Sequence, residues 1–389
     1  MARPTTWRDF DLTRRLEKIG RTFAMADVRS ADDVPILANT PCYFAFSTFD
    51  KPDDYFTDPG SMVEYQERGF ARHLAEIDDD VVPYFMPWFG TGVLASGFGA
   101  RIEIAPGPGN DPAVAGPCVT SIAEAHRLRM PDPESDGWMP RVLAAVDHAR
   151  LHSDLPIGLT DMQGPLDTLG QMCGQVQLFT WMYDEPALVH DMLDLVTDAF
   201  IEWVRVQKEH SGDPLGSSSG LQGVGGSDVG CWESDDDMTM LSPDMYGEFV
   251  APRVARIFDA FGGGSLHFCG RGYQHLDTIL GHHSVRVVNN SPMGQFGDLG
   301  EFRRKLGSSV SLQIQDIAPV DVEGYYRGLF TELGDLRGVM VAPFVVDGIG
   351  MDATGGYVER HDDPFETARH IVAVVRECIA LKLAGQPLL

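Results

Sequence analysis

The sequence predicts an α/β fold, a (β/α)8 TIM barrel with an N-terminal helical extension. About eight short β-rich segments alternate with helical segments along the 389 residues, and no internal repeat is visible. No strand is followed by the Gly-x-Gly-x-x-Gly fingerprint of an open dinucleotide-binding sheet. Because such a barrel holds a chain of this length in one domain, we expect a helical arm over residues 1–30 and a single barrel over residues 31–389.

The predicted strands are runs of apolar and β-branched residues bounded by turn-forming residues. They lie near residues 36–46, 81–88, 155–160, 221–231, 264–269, 285–289, 310–315 and 338–345. The Gly/Ser-rich segment 212–230 is interpreted as a loop around a short strand, because apolar patterning resumes on both sides of it. The acidic triplet 78–80, before the second strand, is interpreted as a solvated turn or helix end.

The predicted helices between these strands follow from apolar residues at helical spacing. The clearest covers residues 186–210, with an apolar face that includes Leu188, Met192 and Val196. Ser242 and Pro243 begin another helix, which runs to residue 261, because they supply an N-cap and a proline at the first helical position.

Composition restricts the class of function. Asp and Glu outnumber Lys and Arg by 57 to 30, which gives a formal net charge of −27. A field of that sign repels phosphate backbones and anionic membrane surfaces, so we expect a small-molecule substrate and neither a nucleic acid nor a membrane as partner. The N-terminus is polar without a secretory signal, no apolar run approaches a bilayer span, and six scattered cysteines are typical of free thiols. These features predict a cytoplasmic protein.

One short motif carries most of the chemical information, His267-Phe268-Cys269-Gly270 at the end of the fifth predicted strand. Strand residues alternate between faces, so His267 and Cys269 point to the same side. An imidazole and a thiol placed together suit a soft divalent metal, zinc above all. The alternative is a core cysteine beside a satisfied histidine, but the glycines that follow favour a site because they let the backbone approach a ligand.

In a (β/α)8 barrel the chemistry collects at the carboxyl ends of the strands. Arg271, just past the metal pair, is a candidate for holding a carboxylate or sulfonate of the substrate, with a turn-capping surface arginine as the alternative. Aromatic residues after the second strand would exclude water and contact a cofactor at the mouth; the candidates are Trp88 and Phe89. The complete set of candidate catalytic residues is Asp161, Asp235, Arg271, Asn289 and Gln313.

The second half of the sequence resembles the uroporphyrinogen decarboxylase-like superfamily. The matching residues are Asp235-Asp236, the segment 241–252 (Leu-Ser-Pro-Asp-Met-Tyr-Gly-Glu-Phe-Val-Ala-Pro) and the segment 266–270 (Leu-His-Phe-Cys-Gly). The resemblance covers about residues 140–380 and is specific over 235–270. It implies a barrel enzyme, either a decarboxylase or a zinc-dependent, corrinoid-linked methyltransferase.

Two departures from the family pattern favour the methyltransferase branch but leave its metal site incomplete. The decarboxylase grips substrate carboxylates with an arginine-containing motif after the first strand, whereas residues 44–49 here are Phe-Ala-Phe-Ser-Thr-Phe. The zinc methyltransferases add a cysteine in the loop after the last strand, whereas residues 345–350 here contain none. The third metal ligand therefore stays open among three candidates, Asp347, Glu233 and Cys231.

From this resemblance we expect a zinc-dependent methyltransferase that activates a thiol acceptor, with the methyl group supplied by a corrinoid (cobalamin) partner protein. The alternatives are a metal-free decarboxylase or lyase, and a non-catalytic binding protein on the same fold. The sequence leaves the oligomeric state open, with a homodimer as one option.

Overall fold

The computed structural model describes residues 6–40, 52–105, 111–213, 220–221, 224–225, 229–282 and 284–388. The strands in these residues are β1 (Ile102–Ile104), β2 (Pro112–Val114), β3 (Gly220–Leu221), β4 (Val224–Gly225), β5 (Cys231–Ser234), β6 (Gly264–Cys269), β7 (Val285–Ser291), β8 (Ser311–Ile314), β9 (Val339–Val341), β10 (Ile349–Met351) and β11 (Tyr357–Glu359).

The helices surround the strands in an alternating α/β order. They are α1 (Thr13–Phe23), α2 (Pro59–Glu76), α3 (Val93–Gly97), α4 (Ile122–Ala125), α5 (Met139–His152), α6 (Pro165–Cys173), α7 (Gln175–Asp184), α8 (Pro186–Ser211), α9 (Pro243–Met245), α10 (Ala251–Ala260), α11 (Leu276–Gly281), α12 (Leu299–Leu306), α13 (Val322–Glu332) and α14 (Pro364–Leu383). None of the described helices is long and apolar enough to cross a membrane.

The central feature is a parallel sheet of five strands in the order β5-β6-β7-β8-β9. Neighbours in space are also neighbours in sequence, and each connection contains helical structure, as in a singly wound α/β protein. Nearly all residues of these strands are buried, which is typical of a parallel sheet covered on both faces. The predicted α/β class is therefore confirmed.

Extended segments pair with the two edges of this sheet and with one another through isolated parallel bridges. Ile36 bridges to Val341 of β9, and Gln163 bridges to Ser234 of β5. Phe85 bridges to Ile157. A backbone hydrogen bond of 2.8 Å from Asp80 N to Ile36 O links the segment that contains Ile36 to the segment that leads to Phe85.

The strands predicted near 264–269, 285–289, 310–315 and 338–345 are confirmed as β6 to β9. Those predicted near 36–46, 81–88 and 155–160 are extended segments that pair at one or two isolated bridges each, so the described residues contain no closed barrel of regular strands. The strand predicted over 221–231 instead begins at Cys231. Most of residues 214–228, and residues 41–46 of the first predicted strand, lie outside the described part of the chain.

The helix predicted from Ser242 to residue 261 forms, but with a change of pitch in its first half. The Ser242 hydroxyl caps it by accepting the Met245 N–H at 3.3 Å. A π-helical turn over Tyr246–Val250 follows, in which the Ala251 N–H reaches back five residues to the Tyr246 carbonyl. Pro252 explains the wide turn, because its ring lacks an N–H and crowds the carbonyl four residues before it.

The interpretation of the acidic triplet as a solvated turn is wrong for two of its three residues. Asp79 and Asp80 are buried, and helix α1 provides their cationic partners. Lys18 Nζ lies 2.7 Å from Asp80, and Arg15 lies 3.3 Å from Asp79. The Asp80 carboxylate also accepts the N–H of Ile36 at 3.0 Å. The triplet therefore joins the N-terminal helix to the start of the first extended segment.

Candidate metal centre

The strand register sets which side chains share the face of the sheet opposite to the outer helices. Ser234, His267, Asn289 and Gln313 are partners at one level across β5 to β8. Side chains at one level of a parallel sheet point to the same face. Phe268 points the other way and packs edge-on against Phe302 of the outer helix α12. His267 and Cys269, which share a face, therefore point inward.

The inward face carries a cluster of three possible metal ligands, Asp236, His267 and Cys269. One ligand atom from each lies within 4.8 Å of the other two. Cys269 Sγ is 3.5 Å from His267 Nε2, and Asp236 Oδ1 is 3.6 Å from the same nitrogen. His267 is buried, whereas Asp236 and Cys269 are half-buried, so the cluster is open on one side.

Asn289 fixes the tautomer of His267. The amide nitrogen of Asn289 donates to Gln315 Oε1 at 3.0 Å, so its oxygen faces His267 Nδ1, 2.7 Å away. An amide oxygen only accepts hydrogen bonds, and therefore Nδ1 carries the proton. The unprotonated Nε2 then points at Cys269 and Asp236, which is the arrangement that a histidine ligand to a metal requires.

Asp236 is held in place from behind by helix α6. It lies in the 3-10 turn Asp236–Met240, and the backbone N–H groups of Asp236 and Asp237 donate to the Asp167 carboxylate at 2.8 and 2.9 Å. The Asp236 carboxylate in turn accepts the Cys269 N–H at 2.7 Å. The position of this ligand is therefore determined by two neighbouring elements.

The charges around the cluster favour a bound cation. Burial raises the pKa of the Cys269 thiol, and the carboxylates of Asp236 and Asp316 raise it further. Burial, with the charges of Asp236 and Asp111, raises the pKa of Asp161 to about 7. A divalent ion would reverse both effects, because it favours the ionised forms of the groups around it.

Comparison with known proteins identifies the family. A family model described as "Uroporphyrinogen decarboxylase (URO-D)" matches residues 53–313, two thirds of the chain. The chain belongs to the uroporphyrinogen decarboxylase family. The predicted resemblance is therefore confirmed, and it extends further toward the N-terminus than the motifs over 235–270 indicated.

Comparison with solved structures gives evidence on the fold alone. A structure of a methyltransferase from Methanosarcina mazei is similar, with a TM-score of 0.64 and 18% sequence identity over 93% of this chain and 98% of that one. No protein in the curated set matches.

The three candidates that the sequence offered for a third metal ligand lie outside the cluster of Asp236, His267 and Cys269. Glu233 is the register partner of Leu266, so it points away from the His267 face, and Cys231, two residues earlier, shares its orientation. Both are fully buried behind the sheet. Asp347 is exposed and is not part of the cluster. Among the described residues, Asp236 is the third member of the cluster.

The predicted catalytic residues separate into two groups in the structure. Asn289 and Gln313 lie at the level of His267, and Asp161 is buried with Gln163 Nε2 donating to its carboxylate at 2.8 Å. Asp235 lies behind the sheet and accepts the Asp167 N–H at 3.1 Å. Arg271 pairs with Asp298 outside the cluster.

The structure also gives the positions of the predicted substrate-binding arginine and of the two predicted cofactor-binding aromatic residues. Arg271 lines an outer groove of about 530 Å³ with Tyr273 and Gln274. Trp88 is buried, and its indole N–H donates to Asp111 at 2.8 Å. Phe89 packs edge-on against Trp138 and is part of the core.

The sequence did not indicate Asp236 as a possible ligand, although the motif Asp235-Asp236 was visible. Asp236 lies in the 3-10 turn after β5, where strand alternation does not set the direction of a side chain. Its position depends on contacts with Asp167 and with the Cys269 N–H, which are distant in sequence.

Proposed function

We propose that this chain is a metal-dependent methyltransferase of the uroporphyrinogen decarboxylase family, with zinc held by Asp236, His267 and Cys269. The observation that carries the proposal is the convergence of three different donor atoms on one inward-facing point, with the histidine tautomer already set by Asn289. A structural neighbour named as a methyltransferase supports it as a fold-level analogy.

The donor set suits a catalytic zinc site. Zinc binds sulfur, imidazole nitrogen and carboxylate oxygen, and its catalytic sites use three protein ligands and leave a fourth position for a water or substrate. Cys269 and Asp236 are half-buried, which leaves room for an exchangeable ligand on their open side. Zinc bound there would lower the pKa of a substrate thiol, so that a nucleophilic thiolate is present near neutral pH.

Residues around the cluster orient the proposed metal ligands and contact the substrate. Asn289 and Gln315 hold the imidazole ring, and Asp167 holds the turn that carries Asp236. Asp161 remains a proposed catalytic residue because its carboxylate is within electrostatic reach of Asp236, and we propose that it contacts the substrate.

We further propose that the acceptor is a small thiol and that the methyl group comes from a corrinoid carried by a separate protein. Family membership supports both parts. The extended segments with single bridges, together with β5 to β9, are proposed to form the (β/α)8 barrel of the sequence prediction, because their backbone contacts follow one another in barrel order.

Porphyrinogen decarboxylation has less support. A substrate with many carboxylates needs cationic side chains around it, whereas the ionisable groups that act on Asp161 and Cys269 include the carboxylates of Asp111, Asp236 and Asp316.

Metal analysis tests the proposal. Purified protein dialysed against metal-free buffer should retain about one zinc per chain, as catalytic zinc sites with three protein ligands do. The Cys269→Ser and Asp236→Asn variants should lose the zinc and the transfer of methyl from methylcobalamin to a thiol together. The Cys378→Ser variant is the matched control, because Cys378 is a buried thiol on α14 away from the cluster.

The Asn289→Ala variant refines the test. It should weaken zinc affinity by about 10- to 100-fold without removing a ligand, the usual effect of losing a group that orients a histidine. Zinc-free wild-type protein with methyl-transfer activity, or stoichiometric zinc in folded Cys269→Ser protein, would show that the proposed centre does not exist.

A further inference from the structure

The surroundings of the proposed metal centre are acidic beyond what the metal itself needs. Asp236 is one of the three proposed ligands, and further carboxylates lie beside the cluster. Gln163, which bridges to Ser234 at the level of His267, donates to the Asp161 carboxylate at 2.8 Å. Ser291, the register partner of Cys269, donates to Asp316. The charges of Asp236 and Asp111 contribute to the raised pKa of Asp161.

These carboxylates are fixed by directed hydrogen bonds. Gln163 holds Asp161 at 2.8 Å, and the Trp88 indole holds Asp111 at 2.8 Å. Asp316 accepts hydrogen bonds from the hydroxyl groups of Ser291 and Tyr325 and from the Met293 N–H.

Among the described residues, no lysine or arginine is among the groups that act most strongly on Asp161 and Cys269. Arg271, two residues past Cys269, is paired with Asp298 in the outer groove. In the rest of the sequence, beyond the described residues, the lysine and arginine side chains are Arg3 and Lys51.

The chemistry of these carboxylates favours a cationic ligand. Carboxylates fixed in a partly buried site attract an ammonium group through charge.

We propose that the thiol substrate of this site carries a positive charge, as an aminothiol does, and that the carboxylates around the metal select it over neutral and anionic thiols. The inference rests on the proposed function, because it concerns the ligand that binds the metal. It goes beyond that function by naming the charge of the substrate.

The experiment compares three thiols of similar length on cobalt-substituted protein at pH 8. They are 2-aminoethanethiol (cationic), 2-mercaptoethanol (neutral) and 3-mercaptopropionate (anionic). Binding of each is followed by the increase in sulfur-to-cobalt charge-transfer absorption above that of Cys269 alone, which requires no turnover. Because the thiols differ in their own acidity, the deciding quantity is the ratio of cationic to anionic affinity and its change on mutation.

In Asp161→Asn protein this ratio should fall by about tenfold, the effect of removing one charge at close range in a partly buried site. In wild-type protein the ratio should also fall as salt is raised from 0.01 to 1 M. The matched control is Asp277→Asn, which removes an 87% exposed carboxylate on α11 and should leave the ratio unchanged. The salt series tests the same inference if Asp161→Asn fails to fold.

The outcomes are separable. A ratio that is insensitive to both Asp161→Asn and salt, or a preference for the anionic thiol, would overturn the substrate charge while leaving the metal site intact. Absence of any increase in the charge-transfer absorption with all three thiols would instead overturn the proposed function.

Discussion

Replacing Glu233 by glutamine should make the protein more stable at alkaline pH. Glu233 is fully buried on the outer face of β5, and both of its carboxylate oxygens have no hydrogen-bond partner among the described residues. Burial, reinforced by the nearby Asp167, raises its pKa from 4.5 to about 8. Since the ionised form is favoured in the unfolded chain and disfavoured in the folded one, Glu233 stabilises the fold least when it is charged.

The direction and size of this change in stability with pH follow from proton linkage. The folded state binds more protons than the unfolded state between pH 4.5 and about 8, so the contribution of Glu233 is fully present below pH 4.5 and is lost as pH rises through 8. With 1.36 kcal/mol per pKa unit, the loss between pH 5 and pH 9 is about 4 kcal/mol. Glutamine has the same shape and no charge at any of these values.

The assay is urea denaturation of wild-type and Glu233→Gln protein from pH 5 to pH 9, followed by circular dichroism. The two stabilities should nearly coincide at pH 5 and diverge with rising pH, with the variant the more stable. Glu332→Gln, on an exposed position of α13, is the control and should follow the wild type. Parallel curves for wild type and Glu233→Gln would refute the reasoning, because they would mean that the buried carboxyl group does not titrate on unfolding.

Two further substitutions test the packing around the site and the N-terminal helix. Gly164→Ala should destabilise the fold by about 1–3 kcal/mol, because its β-carbon would lie 2.2 Å from Glu233 Oε2, whereas Gly247→Ala meets nothing within 4 Å and should be neutral or stabilising. Lys18→Met should cost about 3 kcal/mol because it leaves the buried Asp80 without its cation, whereas Arg14→Met, at an exposed pair, should change stability by less than about 1 kcal/mol. Urea midpoints measure all four, and equal effects within either pair would contradict the assignment.

The alternation of elements could be predicted because it depends on local patterns. The apolar runs that became β6 to β9 are short and bounded by turns, and helix α8 repeats its apolar face over 26 residues. The extended segments near Ile36, Phe85 and Ile157 were harder to assign. They make only isolated bridges, so their sequences carry a weaker strand pattern.

The candidate site could be predicted only in part, for the same reason. The common face of His267 and Cys269 follows from alternation within one strand. The outward direction of Glu233 depends on the register between two strands, and the position of Asp236 depends on contacts of its turn with Asp167 and Cys269; both are set by tertiary packing. The burial of Asp79 and Asp80 was likewise unpredictable, because their partners Lys18 and Arg15 lie about 60 residues away in sequence.

The uneven pairing of the strands and extended segments has a practical consequence for redesign. The three proposed ligands stand on or directly after β5 and β6, where continuous ladders resist distortion, while the side opposite is joined by isolated bridges. A wall with few interstrand links deforms at lower cost than one with many. Directed evolution toward bulkier acceptors should therefore begin in the segments around Phe85 and Ile157, where the backbone can yield without moving a ligand.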